Sequence, residues 1–306
     1  MNIDLSPEAR EFGEQALRAF ESAGGDALLQ RAEADPSQRE SLVAPVLAGL
    51  GAWDLEPRTD ADAAEAAAAL CRSAGYWGLP YPLAERLSRP TDIDADGLIV
   101  VAGPAPAGTI AGVDGHWATV TLDGHRARVT GTSGTRTAFV TALQLTDLDE
   151  AGEQDVALAL VLPCWTLLGM LDRALELTIA HVTLRQQFGQ PLSGFQGVQF
   201  QLTDAEVERS GLEMLARYAL STVTGPDALA DALALRLAAL EAAEVVFRVT
   251  HQLHGAVGFC DETVLSWLSR YSQPLRRLPL GLSATRAQLT ELLGTRGLTG
   301  LYSDAP

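Results

Sequence analysis

A long apolar run that begins at about Val156 and is stopped by Gly189 and Pro191 limits the folds open to this chain. It ends in Arg185-Gln186-Gln187-Phe188-Gly189-Gln190-Pro191-Leu192, with a glycine where a helix cap is expected and a proline just beyond. Ser193 and Gln196 follow with capping-box spacing, serine reaching forward and glutamine reaching back, so a second helix should open at once. The stretch is therefore expected to be a tight corner between two long antiparallel helices. An arginine and three glutamines crowd it, more polar donors than a plain turn requires.

Helices are expected over about Val156–Gln187, Gln196–Val223 and Asp227–His254, with Pro226-Asp227 starting the third and Gly255 ending it. At ~1.5 Å per residue each spans roughly 40 Å. With shorter elements from Asp261 and Ser283, they predict a C-terminal four-helix bundle over 153–306. The most apolar part, Val156 to Leu171, contains Pro163 and is closed by Asp172-Arg173, which fits a buried helix and not a membrane span. Bundles of this size can hold di-metal centres, but the paired Glu-x-x-His motif is missing and Glu176 and His181 are five apart. No metal is expected.

Ahead of the bundle, Ser6-Pro7-Glu8 reads as an N-cap, a proline at the first helical position and acid in the first turn. Further helices are expected at about Ser37–Leu50, stopped by Gly51, at Asp60–Ser73, stopped by Gly75, and briefly at Leu83–Leu87, which makes 1–92 a helical domain. From about Asp96 the period shortens. Leu98–Ala102, Trp117–Leu122, Arg126–Thr130 and Thr137–Leu143 are short β-branched runs with a hairpin signal at Asp123-Gly124. They predict a small antiparallel β domain over 93–152, closing in an acidic linker from Thr146 to Asp155. The fold class is thus mainly α with a reduced β unit between two helical parts.

Charge narrows the partners. Asp and Glu number 39 against 22 basic residues, all of them arginine, for a net −17. That field disfavours nucleic acid and anionic membrane, and any phosphate ligand must be held by a local arginine. Three scattered cysteines and a start lacking a basic, apolar leader predict a reduced, cytoplasmic setting.

A second polar corner, Gln252-Leu253-His254-Gly255-Ala256-Val257-Gly258-Phe259, follows the third long helix, and its glycines let backbone approach a ligand. His254 fits either a phosphate contact or a charge on the helix C-terminal dipole. There is no dinucleotide fingerprint after a strand, no P-loop and no G-x-S-x-G. The two corners in this order, with Arg270 and Glu262 at matching distances, Leu202-Thr203-Asp204, and Leu70 to Gly75 with Leu79-Pro80-Tyr81-Pro82, resemble the acyl-CoA dehydrogenase family. The resemblance covers the bundle well, the first part moderately and the β unit poorly. It extends to the shortened, non-catalytic subunits of actinobacterial α2β2 members.

What the resemblance implies is FAD chemistry on an acyl-CoA, in which a carboxylate takes the α proton and flavin N5 takes the β hydride. It implies that FAD is shared across a subunit interface. Arg185 would hold the pyrophosphate, Gln187, Phe195 and Gln196 would line the adenosine end, and Gln252, Gly255 and Ala256 would cradle the diphosphate. Phe188 would pack at the interface. The family usually has a second glycine where this chain has Ala256.

Departures from the family pattern shape the expected role. The two family positions for the catalytic glutamate fall on Pro279 and Ala159, neither of which can accept a proton. The β unit lacks the segments that would hold a flavin ring. The expectation is a non-catalytic subunit that completes the FAD site of a full-length catalytic partner, with a bulky steroid side-chain acyl-CoA as a candidate substrate. Two alternatives stand beside it: an active homo-oligomer with a displaced base at Asp172, Glu176 or Glu262, and a flavin-free scaffold.

Overall fold

The computed structural model of the chain describes residues 3–135 and 137–296. Helix α1 (Pro7–Ala23) starts as the sequence indicates, with Ser6 Oγ accepting from the Ala9 N–H at 3.3 Å. Helix α2 (Asp26–Ala34) was not expected. It turns off α1 through Gly24 and Gly25, both at positive φ, and buries Leu28, Leu29 and Ala32. Helix α3 (Arg39–Gly49) ends before Gly51, which has φ 70° as a terminating glycine should.

Helix α4 (Ala61–Tyr76) is capped by Asp60, which accepts from the Asp62 N–H at 2.9 Å, and it runs through Gly75. That glycine, expected to stop the helix, serves a close crossing instead. A Cβ at Gly75 would lie 1.8 Å from the Thr166 carbonyl oxygen, and one at Gly169 would lie 1.9 Å from that of Arg72. Helix α5 (Leu83–Leu87) then leads into the sheet.

The five strands are β1 (Gly97–Val100), β2 (Ala107–Gly108), β3 (Trp117–Val120), β4 (His125–Thr135) and β5 (Thr141–Ala151), in the order β1-β3-β4-β5-β2. The antiparallel expectation is corrected at one edge, because β1 and β3 run parallel. The stretch expected as an acidic linker is the outer half of β5, paired to β4 with Asp147 opposite Ala127. Its acidic side chains Asp147, Asp149 and Glu150 are exposed, with Asp147 Oδ1 3.2 Å from His125 Nε2 across the ribbon, so an acidic composition is compatible with a solvated ribbon.

Helix α6 (Glu153–Leu184) is the axis of the molecule. It continues through Pro163 and packs against α4 on one side. On the other it meets α7 (Gln196–Ser221), α8 (Ala228–His254) and α9 (Val264–Arg277). Helix α10 (Leu282–Arg296) lies on α8. Although α6 is long and apolar enough to cross a membrane, 83% of its most apolar window is buried by neighbouring elements, as befits a core helix. Trp165 at its centre is wholly buried, whereas Trp53, Trp77 and Trp267 are only partly so. The tail from Leu301 to Pro306, expected to fray, lies outside the described residues.

The sheet is fastened to α6 by charge. Arg126 of β4 is fully buried and donates from Nε to Asp155 Oδ2 at 2.8 Å, and from Nη1 and Nη2 to Asp92 at 2.7 and 3.0 Å. Arg58 reaches Asp155 Oδ1 at 3.0 Å. Asp155 sits in the first turn of α6, where the helix dipole also favours an anion.

Candidate functional site

The first corner is built differently from the sequence expectation. Helix α6 stops at Leu184, and the chain forms a minimal hairpin, β6 (Gln186–Gln187) with β7 (Gln190–Pro191). Its two turn residues are Phe188 at φ 51° and Gly189 at φ 82°, the positive pair that a I′-type hairpin turn requires. Gly189 therefore serves the hairpin and does not cap the helix. The capping box does not form either. Ser193 lies in a 3-10 turn (Leu192–Gly194), Phe195 occupies the cap position of α7, and Gln196 is the first helical residue. The Ser193 carbonyl instead accepts from Gln199 Nε2 at 2.9 Å.

This hairpin holds the candidate residues outward. Arg185, Gln187, Phe188 and Gln196 are exposed, and Phe188 is 92% so. Phe195 is half-buried and meets Phe188 edge to face at 6.3 Å between centroids. Among the described residues Arg185 has no acidic partner, and the side chains of Gln187 and Gln196 have no hydrogen-bond partner.

The second corner lies beside the first. Helix α8 ends at His254, whose ring stacks on that of His181, one turn before Arg185 on α6, at 4.4 Å. Gly255 then breaks away at φ 63° into a 3-10 turn (Gly255–Phe259), with nothing within 4 Å of where its Cβ would be. Gln252, Gly255 and Ala256 are exposed. Two stretches far apart in sequence thus present a guanidinium, several amides and open backbone at one end of the bundle. His181 was weighed from sequence only as a metal ligand, although its place one helical turn ahead of Arg185 was a usable signal for a role at this corner. Arg270 is otherwise engaged, paired with Asp261 at 2.8 Å and stacked on Trp267 at 4.6 Å.

A separate cavity of about 1280 Å³ lies between the sheet and the bundle. Its walls include Val101 to Gly103, Thr121 to Asp123, the first turns of α6, the α7–α8 loop and Leu280. Ala157 and Leu280 line it, whereas the two expected base positions, Ala159 and Pro279, are not among its lining residues. Asp92, Asp123, Glu153, Asp155 and Glu291 face it against the single guanidinium of Arg58. None of the three displaced-base candidates lines it. Asp172 is clamped by Arg72 at 2.7 Å and Arg209 at 3.1 Å, and Glu176 by Arg173 at 3.0 Å and the Tyr76 hydroxyl at 2.6 Å. Glu262 is exposed on the turn beyond the second corner.

A helical domain, a small sheet and a long bundle joined in this order define an acyl-CoA dehydrogenase fold. Over 97% of this chain and 100% of theirs, it superposes on a variant of the Tcur3481-Tcur3483 steroid ACAD with a TM-score of 0.76 at 21% identity. The ChsE4-ChsE5 complex from Mycobacterium tuberculosis gives 0.73 at 17% identity, over 98% and 100%. Residues 161–279 match the acyl-CoA dehydrogenase C-terminal domain, and the whole chain shares the acyl-CoA dehydrogenase fold. The 3-sulfinopropanoyl-CoA desulfinase of Paraburkholderia xenovorans is 27% identical over 206 residues, which is 64% of this chain and 50% of that protein. The chain spans about half the length of this curated relative.

Proposed function

We propose that this chain is the non-catalytic subunit of a heteromeric, FAD-dependent acyl-CoA dehydrogenase, and that its two corners complete a flavin site belonging to a full-length partner. The observation that carries the reading is the contrast between its two candidate places. The bundle end offers an unpaired Arg185, exposed amides of Gln187, Gln196 and Gln252, and backbone open above Gly255, a set that fits a diphosphate. The chain's own cleft offers carboxylates, and the sequence has Ala159 and Pro279 at the positions that correspond to the family's base. That lining does not fit an anionic cofactor, and a proton-abstracting step without a positioned base forfeits roughly 10²–10⁴-fold.

In this reading Arg185 grips the pyrophosphate in a forked, charge-assisted contact. Gln187, Phe195 and Gln196 border the adenosine, and Gln252, Gly255 and Ala256 close around the diphosphate. Phe188 packs on the partner. The flavin, when bound, supplies a two-electron acceptor for α,β-dehydrogenation of the CoA thioester. The fold's similarity to a steroid ACAD and to a ChsE4-ChsE5 complex supports a two-component assembly and a bulky polycyclic acyl group. The setting is cytoplasmic, and the proposed domain limits remain 92 and 152.

The test is the colour of the protein. Purified alone, the chain should lack flavin absorbance, and co-expressed with its partner it should yield a yellow complex. Arg185→Ala in that complex should lower the flavin retained after gel filtration. Stoichiometric FAD in the lone chain would overturn the shared-site reading.

A further inference from the structure

Three imidazoles gather where α6 and α8 end. The rings of His181 and His254 stack with 18° between their planes, and His254 Nδ1 lies 2.9 Å from the Thr250 carbonyl oxygen and 3.5 Å from Thr178 Oγ1. His251, one turn earlier on α8, stacks on Phe259 at 4.3 Å. Burial pushes all three below the ordinary histidine range. The Arg185 guanidinium adds to this at His181, and at His254 the other two rings oppose the upward pull of the Thr250 carbonyl.

The charges around them are few. Among the described residues no carboxylate acts on any of the three rings. The hairpin from Gln186 to Pro191 has no ionisable side chain, and the first in α7 is Asp204. On the turn after α8, Asp261 is paired with Arg270 and Glu262 is exposed. Helix C-termini carry partial negative charge, so two of them converging here oppose an anion. Side-chain cations must outweigh them, and among the described residues Arg185 is a guanidinium here without an acidic partner, whereas Arg270 is paired with Asp261.

We infer that His181 and His254 are diphosphate-binding groups that take up a proton as the ligand docks, so that capture tightens under mildly acidic conditions. The inference rests on the reading of the corner given above. A docked dianion supplies the counter-charge that the rings lack and makes protonation favourable. Two stacked imidazoliums would repel each other, so the pair takes up at most about one proton.

The probe is ADP-ribose, which carries the adenosine half and a diphosphate diester whose charge is constant over the range used. Calorimetric titration of the chain should give binding several-fold tighter near pH ~6 than near pH ~8, since one unit of pKa displacement reaches its full tenfold only below the pKa of the free rings. The heat near pH ~6 should vary with the ionisation enthalpy of the buffer in proportion to about half a proton, the most that one unit of displacement can take up. The His181→Gln/His254→Gln double variant should bind with one affinity at both pH values. In the wild-type chain, NMR titration of the ring resonances should show both histidines moving up in pKa on adding the probe, a readout that does not depend on how the variant folds. An unchanged affinity across pH, a pH dependence that survives in the double variant, or no binding by the chain would overturn the inference. Full flavin retention in an Arg185→Ala complex would instead overturn the reading of the corner.

Discussion

Arg126 and Asp155 meet at 2.8 Å through Nε and Oδ2, in a place where the arginine is fully buried and the aspartate is 2% exposed. Buried pairs gain little over apolar packing, but breaking one leaves an uncompensated charge. Arg126→Ala should therefore destabilise the chain by about 3–5 kcal/mol. The Arg126→Ala/Asp155→Ala double variant should lose less than the sum of the two single changes. Urea unfolding of all four proteins measures the coupling, and strict additivity would show the pair to be independent.

The α4–α6 crossing makes a sharper prediction. Gly75→Ala and Gly169→Ala each place a methyl inside 2 Å of a backbone oxygen, which no side-chain rotation can relieve. Either change should cost more than about 3 kcal/mol, beyond usual overpacking, because the helices must separate. A melting temperature within a degree or so of the parent would refute the close contact.

Phe188 should show opposite effects on two properties. It is a non-glycine residue at φ 51°, a conformation that costs roughly 1–2 kcal/mol, and its ring is left in solvent. Such strain is retained where it serves a contact. Phe188→Gly should raise the stability of the lone chain by up to about 1 kcal/mol while weakening assembly with the partner. Thermal melts and co-elution on gel filtration report the two effects. Loss of both, or gain of both, would remove the interface role.

Acid should act through Glu213. Burial would raise its pKa, but the hydrogen bonds and charge of Arg72, with Arg209 and Arg217, hold it down to about 2. The folded pKa lies below the unfolded value near 4.5, so the stabilisation is complete above that value and is lost as pH falls towards 2. It amounts to on the order of 3 kcal/mol at most. Glu213→Gln should abolish that part of the acid dependence, and unfolding curves between about pH 5 and pH 3 should show the difference. An identical slope in the variant would assign the acid sensitivity elsewhere.

The legible parts of the fold were those set by local signals. Ser6, Asp60, Gly51 and Gly255 mark helix ends by capping chemistry that needs no neighbour, and the three long helices follow their apolar periodicity closely. What escaped was decided at a distance. Gly75 reads as a stop until α6 is laid against it. The acidic stretch after Thr146 reads as a linker until β4 offers a partner. The hairpin at Gln186–Pro191 hid behind a helix-cap pattern because Gly189 suits both, and only the positive φ of Phe188 separates them. At the candidate site, Arg185 and Gln252 stood out from sequence, but the pairing of His181 with His254 depends on how two helices end together. The carboxylate lining of the cleft likewise gathers residues from four separate segments.

The position of Asp155 bears on what a carboxylate placed at Ala159 would meet. Ala159 is one helical turn further along α6, so a glutamate installed there would stand one turn from an anion already committed to Arg126 and Arg58. Like charges at that spacing oppose each other, and the buried member cannot move away. Replacing one residue at 159 would thus meet resistance from the fastening of the sheet, and a carboxylate there would come at the expense of a fold contact.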